Sequence, residues 1–182
     1  MTPFNIIVAT DSEGGIARKG KLPWRLSQDM LYFKKLTTPQ IVIMGRKTWT
    51  SLPEKYKPLP ERFNIVLTSS RPEFITPSLS PEKKGDVRVV FSFEEALQSV
   101  NELKKNPNWS FSEQEIFVIG GGQIYTQAIA HPLCSKIYLT QIHHNFNCDI
   151  FFPDYSDFSE MRSLPPQKEN GLEFSFKVFE RV

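Results

Sequence analysis

The rhythm of the apolar segments restricts this chain more than any other feature. Short, β-branched runs recur along it, and helical stretches separate them. Phe4 to Ala9 (FNIIVA) is too short for a stable helix and reads as a buried strand. Gln40 to Met44 (QIVIM), Phe63 to Leu67 (FNIVL), Val87 to Phe91 (VRVVF) and Glu115 to Ile119 (EIFVI) read the same way. Helical spacing covers Ser27 to Leu36, with Ser27 as the expected N-cap, Arg46 to Ser51, and Ser92 to Lys105, capped at Ser92 or Phe93. A further helix over Gln123 to Ala130 is opened by Gly120-Gly121-Gly122. From Lys136 the pattern changes: Lys136 to Ile142 (KIYLTQI) and Glu173 to Glu180 (EFSFKVFE) are strands with no helix between them. Phe174, Phe176 and Val178 alternate onto one face, as a half-exposed antiparallel strand requires. Ser69 to Asp86 and Asn106 to Gln114 read as loops. Strand–helix alternation followed by a strand-only tail predicts an α/β fold whose sheet is mixed, mostly parallel, and closed by an antiparallel C-terminal strand.

Length and charge narrow the classes of function. At 182 residues, one domain over 1–182 is expected. Lys and Arg number 22 against 20 Asp and Glu, a net charge of +2, which is too balanced for a general nucleic-acid binder. An anionic ligand must therefore be held by a few placed cations. The two cysteines, Cys134 and Cys148, have no CxxC spacing, so neither a disulfide framework nor a thiolate zinc site is expected, and a reducing compartment is. No apolar run is long enough to span a bilayer and no signal-like N-terminus is present, so a cytoplasmic protein with no membrane partner is expected. A monomer is the default.

Four segments could carry chemistry. On a helix over Gln28 to Leu36, Asp29 shares the apolar stripe with Phe33 and Leu36. It is either a first-turn acid complementing the helix dipole or a carboxylate on the wall of an apolar pocket. In a pocket it must be protonated or paired, because an unpaired buried charge is costly. Gly120-Gly121-Gly122 is either a tight strand-to-helix turn or a phosphate-approach loop; it is not GxGxxG. Gly45-Arg46-Lys47-Thr48 fails the GxxxxGK[ST] spacing, yet two cations and a hydroxyl at a helix start suit a phosphate ester as well as they suit a solvated turn. Arg62 is either a surface cation or a bidentate carboxylate partner. His131, His143 and His144 show no HExxH spacing and no obvious carboxylate partner, so they are read as non-catalytic. No GxSxG nucleophile motif occurs.

Six segments in order carry a resemblance: IIVA (Ile6 to Ala9), GGIARKGKLPW (Gly14 to Trp24), DMLYFKKLT (Asp29 to Thr37), VIMGRKTW (Val42 to Trp49), RFNIVLTS (Arg62 to Ser69) and FVIGGGQIY (Phe117 to Tyr125). With Leu139-Thr140 in the next strand, the chain resembles the dihydrofolate reductase family over nearly its whole length. That resemblance implies an eight-stranded sheet with a cleft, and hydride transfer from NADPH to C6 of 7,8-dihydrofolate, the step antifolate inhibitors block. It implies that Asp29 is the pocket carboxylate binding the pterin, that Thr140 supports it, and that Leu22 and Trp24 complete the catalytic group. Arg62 would bind the α-carboxylate of the substrate's glutamate tail. Ile7, Val8, Ala9, Met30, Phe33 and Lys34 would line the substrate pocket, along with Ser51, Leu52, Leu59, Ile119 and Tyr125.

On the cofactor side the resemblance implies contacts from Ala9, Gly15, Ile16, Gly20, Lys21 and Leu22. Gly45, Arg46, Lys47 and Thr48 would follow, then Leu67, Thr68, Ser69 and Ser70. Ile119, Gly120, Gly121, Gly122, Gln123, Ile124 and Tyr125 would complete the set. Arg46 with Thr68 and Ser69 would receive the 2′-phosphate, since a phosphate there needs cations whereas a free ribose diol prefers an acid. Gly14 to Trp24 would be a mobile loop over the nicotinamide, and Gly120–Gly121 a cis peptide. Phe91 and Met30 depart from the common residues at their positions. Two rivals share features of this pattern. A pyrimidine reductase of flavin synthesis lacks the LPW loop followed by the pocket acid, and a dinucleotide-binding module without catalysis would not need Asp29, Trp24 and Thr140.

Overall fold

Strands this apolar must be covered on both faces, and the chain covers them with helices. A computed structural model describes residues 2–69 and 86–182. The strands are β1 (Phe4–Thr10), β2 (Gly15–Ala17), β3 (Ile41–Gly45), β4 (Phe63–Leu67), β5 (Asp86–Val90) and β6 (Ile116–Val118). They continue as β7 (Cys134–Ile142), β8 (Ile150–Phe151), β9 (Phe158–Ser163), β10 (Gln167–Glu169) and β11 (Leu172–Arg181). The helices are α1 (Ser27–Thr37), α2 (Arg46–Ser51), α3 (Phe93–Lys104) and α4 (Gly122–Ala130). The expected loop at Ser69 to Asp86 lies, apart from its ends, outside the described residues, as does Ser70.

The main sheet runs β10-β11-β7-β1-β6-β3-β4-β5, with β9 also paired to β11. Strands β7, β1, β6, β3, β4 and β5 are parallel, and β11 is antiparallel to β7. Because β10 pairs with Leu172–Phe174 and β9 with Lys177–Arg181, the two share one lane beside β11. The sheet therefore has eight lanes, six of them parallel, as the alternation predicts. Side-chain alternation divides the core. Ile6, Val8, Ile41, Ile43 and Val118 face the layer that holds Leu97, Ile124 and Tyr125 of α3 and α4. Ile7, Val42, Met44, Phe117 and Ile119 face the layer where Phe33 and Leu36 of α1 and Trp49 of α2 pack.

Two local expectations are corrected. Ser27 does not cap α1: Leu26 occupies the cap with no side-chain bond, and Ser27 is the first helical residue. The orphan amides are met from far along the chain, since Ser27 N–H and Gln28 N–H donate to the Glu169 carboxylate at 2.7 and 3.0 Å. At α3 the expected cap holds, with Ser92 accepting from the Glu95 amide. Two of the three histidines do meet carboxylates, His131 with Glu94 at 3.4 Å and His143 with Glu173 at 3.2 Å. Those partners come from other elements, so no sequence spacing announces them.

The segment expected as a mobile loop, Gly14 to Trp24, is stitched to the stretch after β7. Strand β2 pairs with β8, and Phe152 N–H and Asp149 N–H donate to the Gly14 and Ala17 carbonyls. The Asp11 carboxylate gathers the Gly15, Glu13 and Phe146 amides at 2.7, 2.9 and 3.1 Å. Asp149 accepts from Lys19 N–H at 2.8 Å. Burial pushes the Asp11 carboxyl up, but its backbone donors and the Cys148 thiol hold it below the ordinary value overall. The approach is close enough that a β-carbon at Gly15 would overlap the Cys148 side chain. Gly15→Ala should cost about 1–3 kcal/mol, the scale of overpacking, and lower Tm by several degrees in a thermal melt. An unchanged Tm would show that the clasp is looser than this contact.

Candidate active site

In open α/β sheets ligands collect beyond the carboxyl ends of the strands, where connections diverge to either side. Here that edge is formed by the ends of β1, β3, β4, β6 and β7, which leads directly to Ala9, Gly45, Leu67, Ile119 and Thr140. Most of the sequence-derived candidates lie on this edge or in the segments that leave it.

Asp29 stands on the first turn of α1, on the side turned to the sheet, and is half-buried. It hydrogen-bonds with the Thr140 hydroxyl of β7. Thr140 itself is buried and held in register between Ala9 and Phe176. Burial pushes the Asp29 carboxyl above its ordinary value, the Thr140 bond pulls it back, and the Glu169 charge pushes it up again. Tyr125 also feels the Asp29 charge; burial first, and that charge second, raise its phenol well above the usual range. The Tyr125 hydroxyl is already committed, donating to the Ile7 carbonyl at 2.8 Å.

Around Asp29 the apolar face is incompletely covered. Phe33, Leu36 and Leu52 are half-buried over a floor that includes Ile7, Leu59 and Ile119. Met30, beside Asp29 in sequence, is 55% exposed and Leu22 is 56% exposed. Large apolar side chains left open together with a half-buried carboxylate suit a flat, mostly apolar ligand with polar groups at one end. Trp24 is buried with Leu26, Phe174 and Phe176, and its indole N–H has no partner among the described residues. Val8, expected in the pocket, is not brought there: alternation along β1 turns its side chain to the opposite layer with Ile6. Ser51 is exposed and its hydroxyl is spent on the Thr48 carbonyl, while Lys34 is exposed on α1.

Arg62 is a buried cation, not a surface one, at 4% exposure. Its Nε donates to the Pro60 carbonyl at 3.0 Å and its Nη1 to the Thr37 hydroxyl at 2.9 Å, and the guanidinium lies 5.8 Å from the Phe33 ring centroid. Burial lowers its pKa and Glu61 raises it. Nη2 makes no hydrogen bond among the described residues, so a planar fork is fixed at the far end of the groove with donors to spare.

A second set of groups meets across β3 and β6. Gly45 N–H donates to the Gly120 carbonyl at 2.7 Å, so the starts of α2 and α4 lie side by side. Neither helix has a side-chain cap bond, which leaves their first amides pointing outward. The Gly120–Gly121 peptide is cis, as expected, and Gly120 has φ +106°, a conformation that favours glycine. A β-carbon on Gly121 would sit 3.3 Å from the Thr48 hydroxyl, so the backbone there is open to close approach only because it is bare. Arg46 and Lys47 are exposed at the start of α2, and Thr68 is buried beside exposed Ser69 at the end of β4. Ile16, Ile124 and Leu67 are buried core residues, so their part in any site is to hold backbone in place. Gly20, Lys21 and Gln123 are exposed.

Two groups escape the sequence reading. Glu169 approaches α1 across 141 residues, and nothing local to it signals that role. Asp11 had a usable signal, an acid ending a buried strand before two glycines. Among the described residues no group of His, Cys, Asp and Glu is arranged to hold a metal, and no helix is long and apolar enough to cross a membrane.

The fold and site define a class: an α/β protein with a carboxylate-bearing apolar groove on one side of the carboxyl edge and an anion-attracting double helix start on the other. A family model described as dihydrofolate reductase matches residues 3–181, and the chain belongs to that family. It is 37% identical to a dihydrofolate reductase of Aedes albopictus and 37% identical to one of Drosophila melanogaster, each alignment covering 100% of this chain and 99% of the relative. It is also 37% identical to a bifunctional dihydrofolate reductase-thymidylate synthase of Glycine max, covering 98% of this chain but 34% of that relative.

The raised Asp29 pKa carries a sign for stability. The folded state binds this proton more tightly than the unfolded chain, so the resulting stabilisation is present below the ordinary carboxylate value and is lost as pH rises through the raised folded value. Asp29→Asn should therefore melt at a higher temperature than the native chain at neutral pH. The gap should close as pH falls towards the ordinary carboxylate range. A variant less stable at neutral pH, or a gap independent of pH, would contradict the assigned burial.

Proposed function

We propose that this chain reduces 7,8-dihydrofolate to 5,6,7,8-tetrahydrofolate using NADPH, and that the observation carrying this reading is the Asp29 carboxylate, half-buried in an apolar groove and fixed by Thr140. Family membership supports the activity; the residue roles rest on the geometry. The groove is matched to a fused heterocycle with an amidine-like edge. Asp29 accepts from the 2-amino group and N3 of the pterin, while Phe33, Leu52, Leu59, Ile7 and Ile119 flank the ring and benzoyl portions. The buried Trp24 N–H offers a donor to a polar atom of the bound ring system. At the other end, the free Nη2 of Arg62 receives the α-carboxylate of the glutamate tail.

NADPH, held by the starts of α2 and α4 together with Arg46, Thr68 and Ser69, would supply the hydride that reduces the pterin. The chain contributes placement and field. Amides at the starts of α2 and α4 attract the pyrophosphate. Arg46 with Thr68 and Ser69 suits a 2′-phosphate, which favours NADPH over NADH. Holding two reactants edge to edge removes much of the entropy cost of their encounter. Asp29 stabilises the positive charge that develops as N5 is protonated, and it does so in a low-dielectric groove where electrostatics outweigh their strength in water. Asp29 grips the far end of the pterin, so the proton reaches N5 from solvent. The protein acts in this reading as a cytoplasmic monomer.

The direct test is loss of NADPH absorbance on adding dihydrofolate, compared with NADH and repeated with an antifolate. Absence of turnover in folded protein would overturn the activity. For the tail, Arg62→Leu should raise KM for dihydrofolate roughly ten- to a hundredfold, the equivalent of about 1.5–3 kcal/mol for charge-assisted bonds, and leave KM for a tail-less pterin nearly unchanged. Equal effects on both substrates would remove Arg62 from the tail site.

A further inference from the structure

The geometry points to Glu169 as a positioning residue for Asp29: reaching from β10, its carboxylate caps α1 and ties the first turn of that helix to β10, which is joined through β11 to β7, the strand that carries Thr140. This inference rests on the reading of Asp29 as the substrate-holding group. The helix has no side-chain cap of its own, since Leu26 at the cap position carries no side-chain acceptor. The two oxygens of Glu169 divide the work, Oε1 taking Ser27 N–H at 2.7 Å and Oε2 taking Gln28 N–H at 3.0 Å, and the Ser27 hydroxyl also bonds to this carboxylate. The next residue is Asp29.

The opposite end of the arrangement is just as constrained. Glu169 pairs with Leu172 across the β10–β11 turn, and Phe176 of β11 pairs with Thr140 of β7. Thr140 in turn bonds to Asp29. Asp29, α1, Glu169, β10, β11, β7 and Thr140 therefore form a closed circuit, and removing Glu169 opens it at the helix start. A carboxylate at a helix N-terminus is favoured by the dipole as well as by the orphan amides.

The same carboxylate brings a negative charge near Asp29, and it opposes ionisation there. The other groups bearing on Asp29 are Tyr32 on its own helix, Tyr125 on α4 and the Thr140 hydroxyl on β7. Tyr138 and Arg162 act on Tyr32. Among these, Glu169 is the one carboxylate, so its charge can be removed while the rest stay.

Two variants separate geometry from charge. Glu169→Gln keeps an acceptor for the helix start and removes the charge; Glu169→Ala removes both. The Asp29 carboxyl resonance is titrated by carbon-13 NMR in ligand-free protein, and KM and kcat for dihydrofolate are measured in parallel. Both variants should lower the Asp29 midpoint towards the ordinary carboxylate value. Glu169→Ala should also raise KM for dihydrofolate several-fold, an effect that Glu169→Gln largely avoids. An Asp29 midpoint unmoved in both variants, or a KM unchanged in Glu169→Ala, would overturn the role of Glu169, even if Glu169→Ala melts lower. The NMR readout needs no turnover, so a failed catalytic role for Asp29 itself would show separately, as an Asp29→Asn enzyme with normal turnover.

Discussion

A carboxylate on the inner side of a helix and a hydroxyl on a strand meet in a place that water only half reaches, and the rest of the site is arranged around that contact. Asp29 would be unstable there as a bare charge. The Thr140 hydroxyl gives it one partner among the described residues, short of what a carboxylate can accept. In the proposed reading, a ligand that presents paired N–H donors would complete the set. The apolar neighbours matter as much as the donor, because Phe33, Leu36 and Leu52 are what keep the dielectric low. The cost of holding the acid in this place is paid in stability at neutral pH, a trade common at sites where function needs a group the fold would rather not bury.

The sheet supplies the second half of the site through its topology. Strand β6 is inserted between β1 and β3, and this brings the turn after β6 beside the turn after β3. Two helix starts then lie next to each other, joined by the bond from Gly45 to Gly120. Glycine at successive positions there answers to backbone conformation and packing, since Gly120 has φ +106° and a β-carbon on Gly121 or Gly122 would press on the Thr48 hydroxyl or on Ile150. The segment from Asp11 to Trp24 borders both halves. Its anchorage to β8 through Asp11, Asp149 and the β2–β8 pairing means that its position is set by residues more than a hundred places further along the chain.

The parts of this structure that were legible in the sequence are those encoded locally. Buried strands announce themselves by β-branched runs, so β1, β3, β4, β5, β6, β7 and β11 are read within a residue or two of their ends. Asp29 is legible because helical spacing places it with Phe33 and Leu36. Strands β2, β8 and β10 are two or three residues long and owe their existence to pairing rather than to their own side chains, while β9, mostly exposed, carries no apolar run. Long-range partners were invisible for the same reason. Ser27 has the composition of a cap, and only the fold reveals that Glu169 takes that work. Arg62 looks like a surface cation until Thr37 and Pro60 are seen to enclose it.

In the proposed function the Asp29 carboxylate drives the chemistry from its half-buried position. That role is tested most directly by the single-turnover rate of hydride transfer in Asp29→Asn, measured across pH against the native chain with both ligands saturating. The rate should fall about 10²–10⁴-fold at neutral pH, the usual scale for a positioned acid–base group. An Asn variant that transfers hydride at a near-native rate at neutral pH would contradict it.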